Sequence, residues 1–257
     1  MLSIRILGSG TSSGVPRIGP DWGACDPADP RNRRTRSSVL VRSATTTILV
    51  DTSPDMREQL IAARVSDVDA VLWTHDHADH CHGIDDLRQV MHARGGSPVR
   101  GLARPFTLEQ LGKRFSYVFE GRGKFYPSVV AAETMPDHFT IGDIAINVVD
   151  QPHGGITSAG LRFESGGKVI GYATDFHEMT DAMRILYAGL DLWVVDALRH
   201  APHPTHPHLG AVLGWIDELQ PRRSALVHMD HSMDYATLAA ELPVGVEPGY
   251  DGLELHV

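Results

Sequence analysis

The segment Thr74–His80 reads THDHADH and follows an apolar run, DAVLW. Imidazole nitrogens and carboxylate oxygens crowded together suit a divalent cation such as Zn2+, Mn2+ or Fe. Side chains at alternate positions of a strand share a face. A strand ending at Trp73 can therefore aim His75 and His77 at one point, while Asp79 and His80, on the next turn, face a second point nearby. Asp76 and His82 read as supporting or surface residues. Two metals need more ligands than this segment holds. Three downstream stretches offer them, each beside an apolar run: His153 in VVDQPHGG, Asp175 in VIGYATDF and His228 in ALVHMDH. A lone histidine after a strand is more often structural. The ordered series is what points to a site, because ligand sites gather at the carboxyl ends of strands in layered α/β folds.

The flanking patterns supply the elements that must hold these residues. SIRILGSG, SSVLVRS, TTTILVD and DAVLW read as strands in the first half, and FTIGDIAINVVD, AGLRFES, KVIGYATD, DLWVVDA, SALVHM and GLELHV as strands in the second. PDMREQLIAARV has helical spacing, with Ser53 placed to cap and Pro54 at the first helical position. GIDDLRQVMHAR, TLEQLGKRFSYVF, MTDAMRILYAG, GAVLGWIDEL and MDYATLAAEL are further helices. Strands in both halves with helices between them suit two packed sheets covered by helices, an α+β architecture. Residues 125–140 then form the midpoint of one domain, 1–257, rather than a linker.

The composition bounds the function. With only Cys25 and Cys81 there is no disulfide framework, which points to the cytoplasm. No apolar stretch approaches a membrane span, and MLSIRILGSG is too short and wrongly flanked for a signal peptide. A net charge of −9 argues against a broad nucleic-acid surface. The 15 histidines fall mostly in a few short motifs, which is the compositional sign of a metal site.

These motifs resemble those of the metallo-β-lactamase-fold superfamily of dinuclear hydrolases. The matching residues are Asp51 after TTTILV, the H-x-H-x-D-H at 75–80, His153, Asp175 and His228. The resemblance implies an αββα sandwich. It implies that His75, His77 and His153 bind one metal, that Asp79, His80 and His228 bind a second, and that Asp175 bridges them. Asp51 would tie the loop after its strand to the histidine loop. Within the superfamily the chain is similar to the PhnP phosphodiesterase group, through GSGTSSGVP (Gly8–Pro16), LVHMDHSMDY and GVEPGYDGLEL. The stretch HPTHPHLGAV matches the place of that group's catalytic histidine, and alignment puts it at His206; His203 and His208 are the alternatives. The group also carries a structural zinc on a C-x-C-x-x-C cluster and a histidine. Here the equivalent stretch is GPDWGAC: only Cys25 remains, Pro20 and Trp22 replace the other thiols, and His231 matches the fourth ligand. Two ligands do not close a tetrahedral site, so no structural zinc is expected. That departure weakens transfer of the group's narrow substrate, a ribosyl cyclic phosphate; a ribosyl or nucleotide cyclic phosphate stays the candidate substrate. The resemblance also makes a homodimer reasonable.

The expected activity is phosphodiester hydrolysis of a small phosphorylated substrate. Two divalent cations, Zn2+ or Mn2+, lower the pKa of a water and neutralise phosphoryl oxygens. His206 then protonates the leaving oxygen, a role typically worth about 10²–10⁴-fold. His206 and Asp79 are the candidate catalytic residues. Ser12 and Ser13 are candidate substrate contacts, since a Gly/Ser turn can hold phosphate on backbone N–H groups or simply be a tight turn. The run RNRRTR, Arg31–Arg36, could face a phosphorylated substrate but reads first as a solvated loop. Cys81 is given no role. The alternatives on the same fold are a tRNase Z-like nuclease, for which no basic arm is visible, and a thioester hydrolase. A flavodiiron-type oxygen reductase would need an acidic ligand within HDHADH and an added flavin domain.

Overall fold

The apolar runs become strands buried on both faces. In the computed structural model, which describes residues 1–123 and 125–257, the strands are β1 (Ser3–Gly8), β2 (Ser38–Arg42), β3 (Thr47–Val50), β4 (Ala70–Trp73), β5 (Val99–Ala103), β6 (Val130–Thr134), β7 (His138–Ile141), β8 (Ile144–His153), β9 (Ile156–Ser165), β10 (Lys168–Ala173), β11 (Leu192–Asp196), β12 (Ser224–Val227), β13 (Val246–Pro248) and β14 (Glu254–His256). The helices are α1 (Met56–Ala63), α2 (Ala78–Cys81), α3 (Leu87–Ala93), α4 (Pro105–Arg114), α5 (Ser116–Glu120), α6 (Asp181–Leu186), α7 (Leu209–Leu219) and α8 (Tyr235–Glu241).

One seven-stranded sheet runs β14-β1-β2-β3-β4-β5-β6 and the other β13-β12-β11-β10-β9-β8-β7. Both are mixed. From β3 to β6 and from β10 to β13 the strands are parallel, and the remaining pairs are antiparallel. Parallel neighbours need crossovers, and α1, α3, α4 with α5, α6, α7 and α8 supply them.

Strand alternation assigns each apolar residue either to the core between the sheets or to the cluster under its own sheet's helices. In β3 and β4, Ile48, Val50, Ala70 and Leu72 face the core between the sheets, while Leu49, Val71 and Trp73 face the helices of their own layer. In β11, Leu192 and Val194 enter the same central core, and Trp193 and Val195 pack under the helices of the second layer. The αββα sandwich expected from the resemblance follows. The chain passes from the first sheet to the second between β6 and β7, within residues 125–140, and returns to the first with β14.

Some local readings need correction. Ser53 does not cap a helix starting at Pro54. The helix begins at Met56 with Asp55 as its N-cap; the Ser53 hydroxyl accepts from the Asp55 amide at 3.2 Å ahead of it and donates to Gln59 Oε1 at 2.8 Å. Residues 51–53 are held by the histidine loop: the amides of Thr52 and Gly83 reach the carbonyls of His80 and Thr52, each at 2.9 Å. TLEQLGKRFSYVF is two helices, broken at Phe115, where Arg114 turns back onto the carbonyl and carboxylate of Asp76. The strands β5, β6 and β13 and the short α2 carried no readable pattern. β6 is a largely exposed edge strand and so lacks apolar alternation. RNRRTR is not a solvated loop throughout. Arg34 is buried and donates to the carbonyls of Met233 at 2.5 Å and Asp230 at 3.2 Å, and Asn32 is also buried.

Gly83 shows how closely the histidine loop sits on its support. A Cβ there would fall 2.0 Å from the carbonyl oxygen of Ser53. Gly83→Ala should therefore destabilise the protein by about 1–3 kcal/mol or more. Urea unfolding would show a lower midpoint at an unchanged slope; an unchanged midpoint would mean that this contact gives way freely.

Candidate metal centre

The strands of both sheets end at one cleft. Asp51 follows β3, the histidine loop follows β4, His153 ends β8, Asp175 lies just past β10, Asp196 ends β11 and His228 follows β12. To turn side chains inward at a strand end, the backbone leaves the extended region. Asp51, Asp175 and His228 have φ of 64°, 53° and 58°, a left-handed conformation rare for non-glycine residues. Each such residue costs on the order of 1–3 kcal/mol, and the cost persists only where the surroundings dictate it.

Two groups of candidate ligands form, and they bring together the residues that the family resemblance pairs. His75, His77, His153 and Asp175 each offer an atom within 4.8 Å of the others, and so do Asp79, His80, Asp175 and His228. Asp175 is common to both. Its Oδ1 lies 3.8 Å from His75 Nε2, 3.7 Å from His153 Nε2 and 3.5 Å from His228 Nε2, and its Oδ2 lies 3.1 Å from His80 Nε2. Asp79 Oδ2 is 3.3 Å from His80 Nε2 and 3.5 Å from His228 Nε2. The Nε2 atoms of His75, His80 and His228 are buried and have no hydrogen-bond partner. Buried polar atoms are normally satisfied. Three unpaired imidazole nitrogens converging on carboxylates are the donor set of a divalent cation, so the residues present fit the metals that the fold family implies.

The far side of the rings is held as a metal site requires. The buried carboxylate of Asp51 accepts from the amide and hydroxyl of Thr74, each at 2.8 Å, and from His80 Nδ1 at 2.7 Å. With its proton spent on Asp51, the Thr74 hydroxyl accepts from His75 Nδ1 at 3.0 Å. His153 Nδ1 donates to the carbonyl of Thr205 at 3.0 Å. Each of these bonds puts the ring proton on Nδ1 and frees Nε2 as the ligand atom.

One participant was not read from the sequence. Asp196 is buried, and its Oδ2 accepts from His206 Nδ1 at 2.8 Å and from the Asp175 amide at 3.1 Å. Asp196, His206 and His228 form a third close group. The available signal was DLWVVD, an apolar run ending in aspartate like TTTILVD, but no histidine stands beside it in sequence. His206 Nε2 faces Asp175 Oδ1 at 3.9 Å, and its ring stacks on His228 at 4.7 Å between centroids. Of the other candidates, His203 lies beside His206 with ring centroids 5.3 Å apart and its Nδ1 accepts from the Thr205 amide, and His208 is the N-cap of α7.

The remaining residues are placed as follows. Asp76 is buried against Arg114, and the exposed His82 meets the Phe115 ring edge-on. The Cys81 thiol donates to the Asp76 carbonyl, and burial pushes its pKa up to about 12. Arg34 Nη1 stands 3.7 Å from Cys25 Sγ, and the Arg17 guanidinium lies against the His231 ring. Ser12 and Ser13 line a cavity that Asp79 also lines.

The sequence model of the beta-lactamase superfamily domain matches residues 46–229. The chain belongs to that superfamily. The crystal structure of a diphosphatase of the PhnP family superposes on it with a TM-score of 0.90 at 35% identity, over 99% of this chain and 96% of the other, which places the chain in the PhnP family. A Zn(2+)-bound PqqB from Methylobacterium extorquens shares the fold at a TM-score of 0.78 and 20% identity, over 99% of this chain and all of the other. Among curated proteins, an octanoyltransferase of Porphyromonas gingivalis is 32% identical over 97% of this chain, which spans half the length of that relative. As a superfamily member with this His/Asp cluster, the chain is a metal-dependent hydrolase. No helix of the described residues is long and apolar enough to cross a membrane.

Metal binding at this centre is coupled to protons. Burial opposes ionisation of Asp175, but the imidazoles of His228, His80 and His75 outweigh it and hold the carboxyl well below its usual range. Burial likewise opposes the charged form of His228, yet Asp175, Asp196 and Asp79 raise its pKa to about 9; carboxylates raise His80 well above its ordinary value in the same way. In the metal-free protein both rings carry a proton at neutral pH that a cation must displace. Affinity for Zn2+ or Mn2+ should therefore rise with pH until His228 is neutral, near pH 9. Calorimetric titration at pH 7 in buffers of different ionisation enthalpy should show net proton release. Uptake with no proton exchange would contradict this charge balance.

Proposed function

We propose that the chain is a dinuclear metal-dependent phosphodiesterase acting on a small phosphorylated substrate, with His206 as the proton donor to the leaving group. The observation that carries this reading is the Asp196–His206 pair. Asp196 fixes the ring through Nδ1 and turns Nε2 toward Asp175, the carboxylate shared by both ligand groups. A phosphoryl group held at that carboxylate would present its departing oxygen to His206 Nε2.

His75, His77 and His153 would hold one divalent cation and Asp79, His80 and His228 the other, with Asp175 touching both. When bound, these cations supply positive charge to the phosphoryl oxygens and lower the pKa of a water. Zn2+ and Mn2+ both suit the imidazole and carboxylate donors. The protein's own part is orientation and proton transfer. A hydroxide oxygen, its water having already given one proton to solvent, attacks phosphorus in line with the bond that breaks. The electron pair of that bond leaves with the alcohol oxygen, which takes the proton from His206 Nε2. Asp196 keeps the ring directed and stabilises the imidazolium before transfer. The ligands come from both sheets, which share a central core, and this supports reading residues 1–257 as one hydrolase domain. The PhnP-family diphosphatase supports phosphoester chemistry over acyl transfer, because its likeness spans nearly the whole of both chains.

The test is hydrolysis of bis(p-nitrophenyl) phosphate beside p-nitrophenyl phosphate and a thioester, on protein of measured metal content. Preference for the diester at about two metals per chain is the expected result. Cleavage of the thioester alone would overturn it. Asp175→Ala should lose metal and activity together. His206→Ala should retain both metals and slow a poor alkoxide leaving group by about 10²–10⁴-fold, with a smaller effect on p-nitrophenolate. Asp196→Asn should show the same leaving-group dependence; an equal loss on all substrates would remove its orienting role.

A further inference from the structure

Arg34 is a charged side chain that the metal chemistry leaves unexplained. It is only 2% exposed and is among the largest fully buried side chains. Burial lowers its pKa, but a guanidinium stays protonated in proteins. A buried charge normally has a counterion. Among the described residues Arg34 makes no ion pair with a carboxylate. Its Nη2 donates to the carbonyl of Met233 at 2.5 Å and to Asn32 Oδ1 at 3.4 Å, and its Nη1 to the carbonyl of Asp230 at 3.2 Å. The Cys25 thiol stands 3.7 Å from Nη1, and burial raises its pKa, so it brings no negative charge. Asn32 extends the contact: its Nδ2 donates to Asp234 Oδ2 and its Oδ1 accepts from the Tyr235 amide, each at 2.8 Å. Residues 230–235 are thus drawn onto Arg34 and its neighbour.

That loop continues directly from His228. Three buried ligand rings are held from behind through Nδ1: His75 by Thr74, His80 by Asp51 and His153 by Thr205. His228 is not. Its Nδ1 is buried without a hydrogen-bond partner, and Asp196 Oδ1 stands 3.9 Å away. The ring is located by stacking on His80 and His206 and by a left-handed backbone, φ 58°. A ring with no hydrogen bond behind it depends on how firmly its backbone is held. Beyond His228, the Met229 amide reaches the Ser9 carbonyl at 3.0 Å and the Asp230 amide reaches the Leu198 carbonyl at 2.9 Å. Arg34 closes the same loop from its carbonyl side. The structural zinc of the PhnP group is not matched at this corner. Cys25 and His231 join no cluster of three or more potential ligands among the described residues, and His231 lies against the Arg17 guanidinium.

We propose, resting on the two-metal reading above, that Arg34 is a positioning residue for the metal centre. Its guanidinium is a cation built into the chain, which gathers the carbonyls of Asp230 and Met233 and so fixes His228. The two halves of the centre then depend on it unequally. The half formed by Asp79, His80 and His228 needs Arg34, and the half formed by His75, His77 and His153 does not.

The test is equilibrium dialysis of the metal-depleted chain against Zn2+, with bound metal counted per chain. The unaltered protein should bind about two. Arg34→Met should weaken one of them by about 10- to 100-fold, as loss of outer support does at metal sites, and leave the other as it was. Arg34→Lys keeps the charge without the planar fork and should fall between the two. It carries the same test if Arg34→Met does not fold. In a His228→Ala background, which retains one metal, Arg34→Met should change the affinity of that metal by less than about twofold. Cys25→Ala should leave the count unchanged. Equal weakening of both metals or of neither in the Arg34 variants, a further large loss in the His228→Ala background, or a metal lost with Cys25 would each overturn the proposal. One metal or none in the unaltered protein would overturn the two-metal reading and this role with it.

Discussion

Asp175 sets the constraint on which the rest of the structure depends. A carboxylate buried in protein is costly unless positive charge surrounds it. Asp175 is almost wholly buried, and the Nε2 atoms of His75, His80, His153, His206 and His228 all lie within 4 Å of its oxygens. Those imidazoles arrive from three separate strand ends and one loop. Their own burial is tolerable only because further carboxylates hold their outer nitrogens, Asp51 on His80 and Asp196 on His206. Charge is thus balanced in layers, each too buried to be balanced by water.

That arrangement explains the sandwich. No single sheet edge could surround one carboxylate on several sides. Here the first sheet supplies Asp51 and the histidine loop, and the second supplies His153, Asp175, Asp196 and His228. The central core locks the sheets face to face with strand residues such as Ile48, Leu72, Leu161 and Val194. The left-handed backbone at Asp51, Asp175 and His228 is the local cost of aiming strand-end side chains across the cleft. It is held by the bonds those residues make, such as Thr74 on Asp51 and Asp196 on the Asp175 amide.

The superfamily membership and the geometry describe the same object at different resolution. The match at residues 46–229 covers the cluster from Asp51 to His228. The likeness to the PhnP-family diphosphatase extends over both ends of the chain as well. These ends include the Gly/Ser turn and Asp251, whose carboxylate binds the Ser9 amide and hydroxyl at 2.9 Å and the Thr35 amide at 2.7 Å. The turn that borders the cleft is therefore anchored by the last part of the fold.

Local sequence carried most of the strands and helices and named the residues that the fold gathers into two candidate ligand groups. Apolar alternation is dictated by burial on each face, and H-x-H-x-D-H concentrates its donors within one loop. His153, Asp175 and His228 were legible because each follows an apolar run. Asp196 was equally placed but silent, since its meaning comes from His206, which only the fold brings against it. The choice among His203, His206 and His208 was open for the same reason, and so was the fate of RNRRTR. Neighbouring arginines in that run end up buried, exposed or facing a cavity according to which carboxylates and carbonyls the distant segments present. Residue type and spacing thus determined what could bind a metal. Which groups share a proton, a charge or a cavity was decided by tertiary structure, because electrostatic partners act through a few ångströms of space and not along the chain.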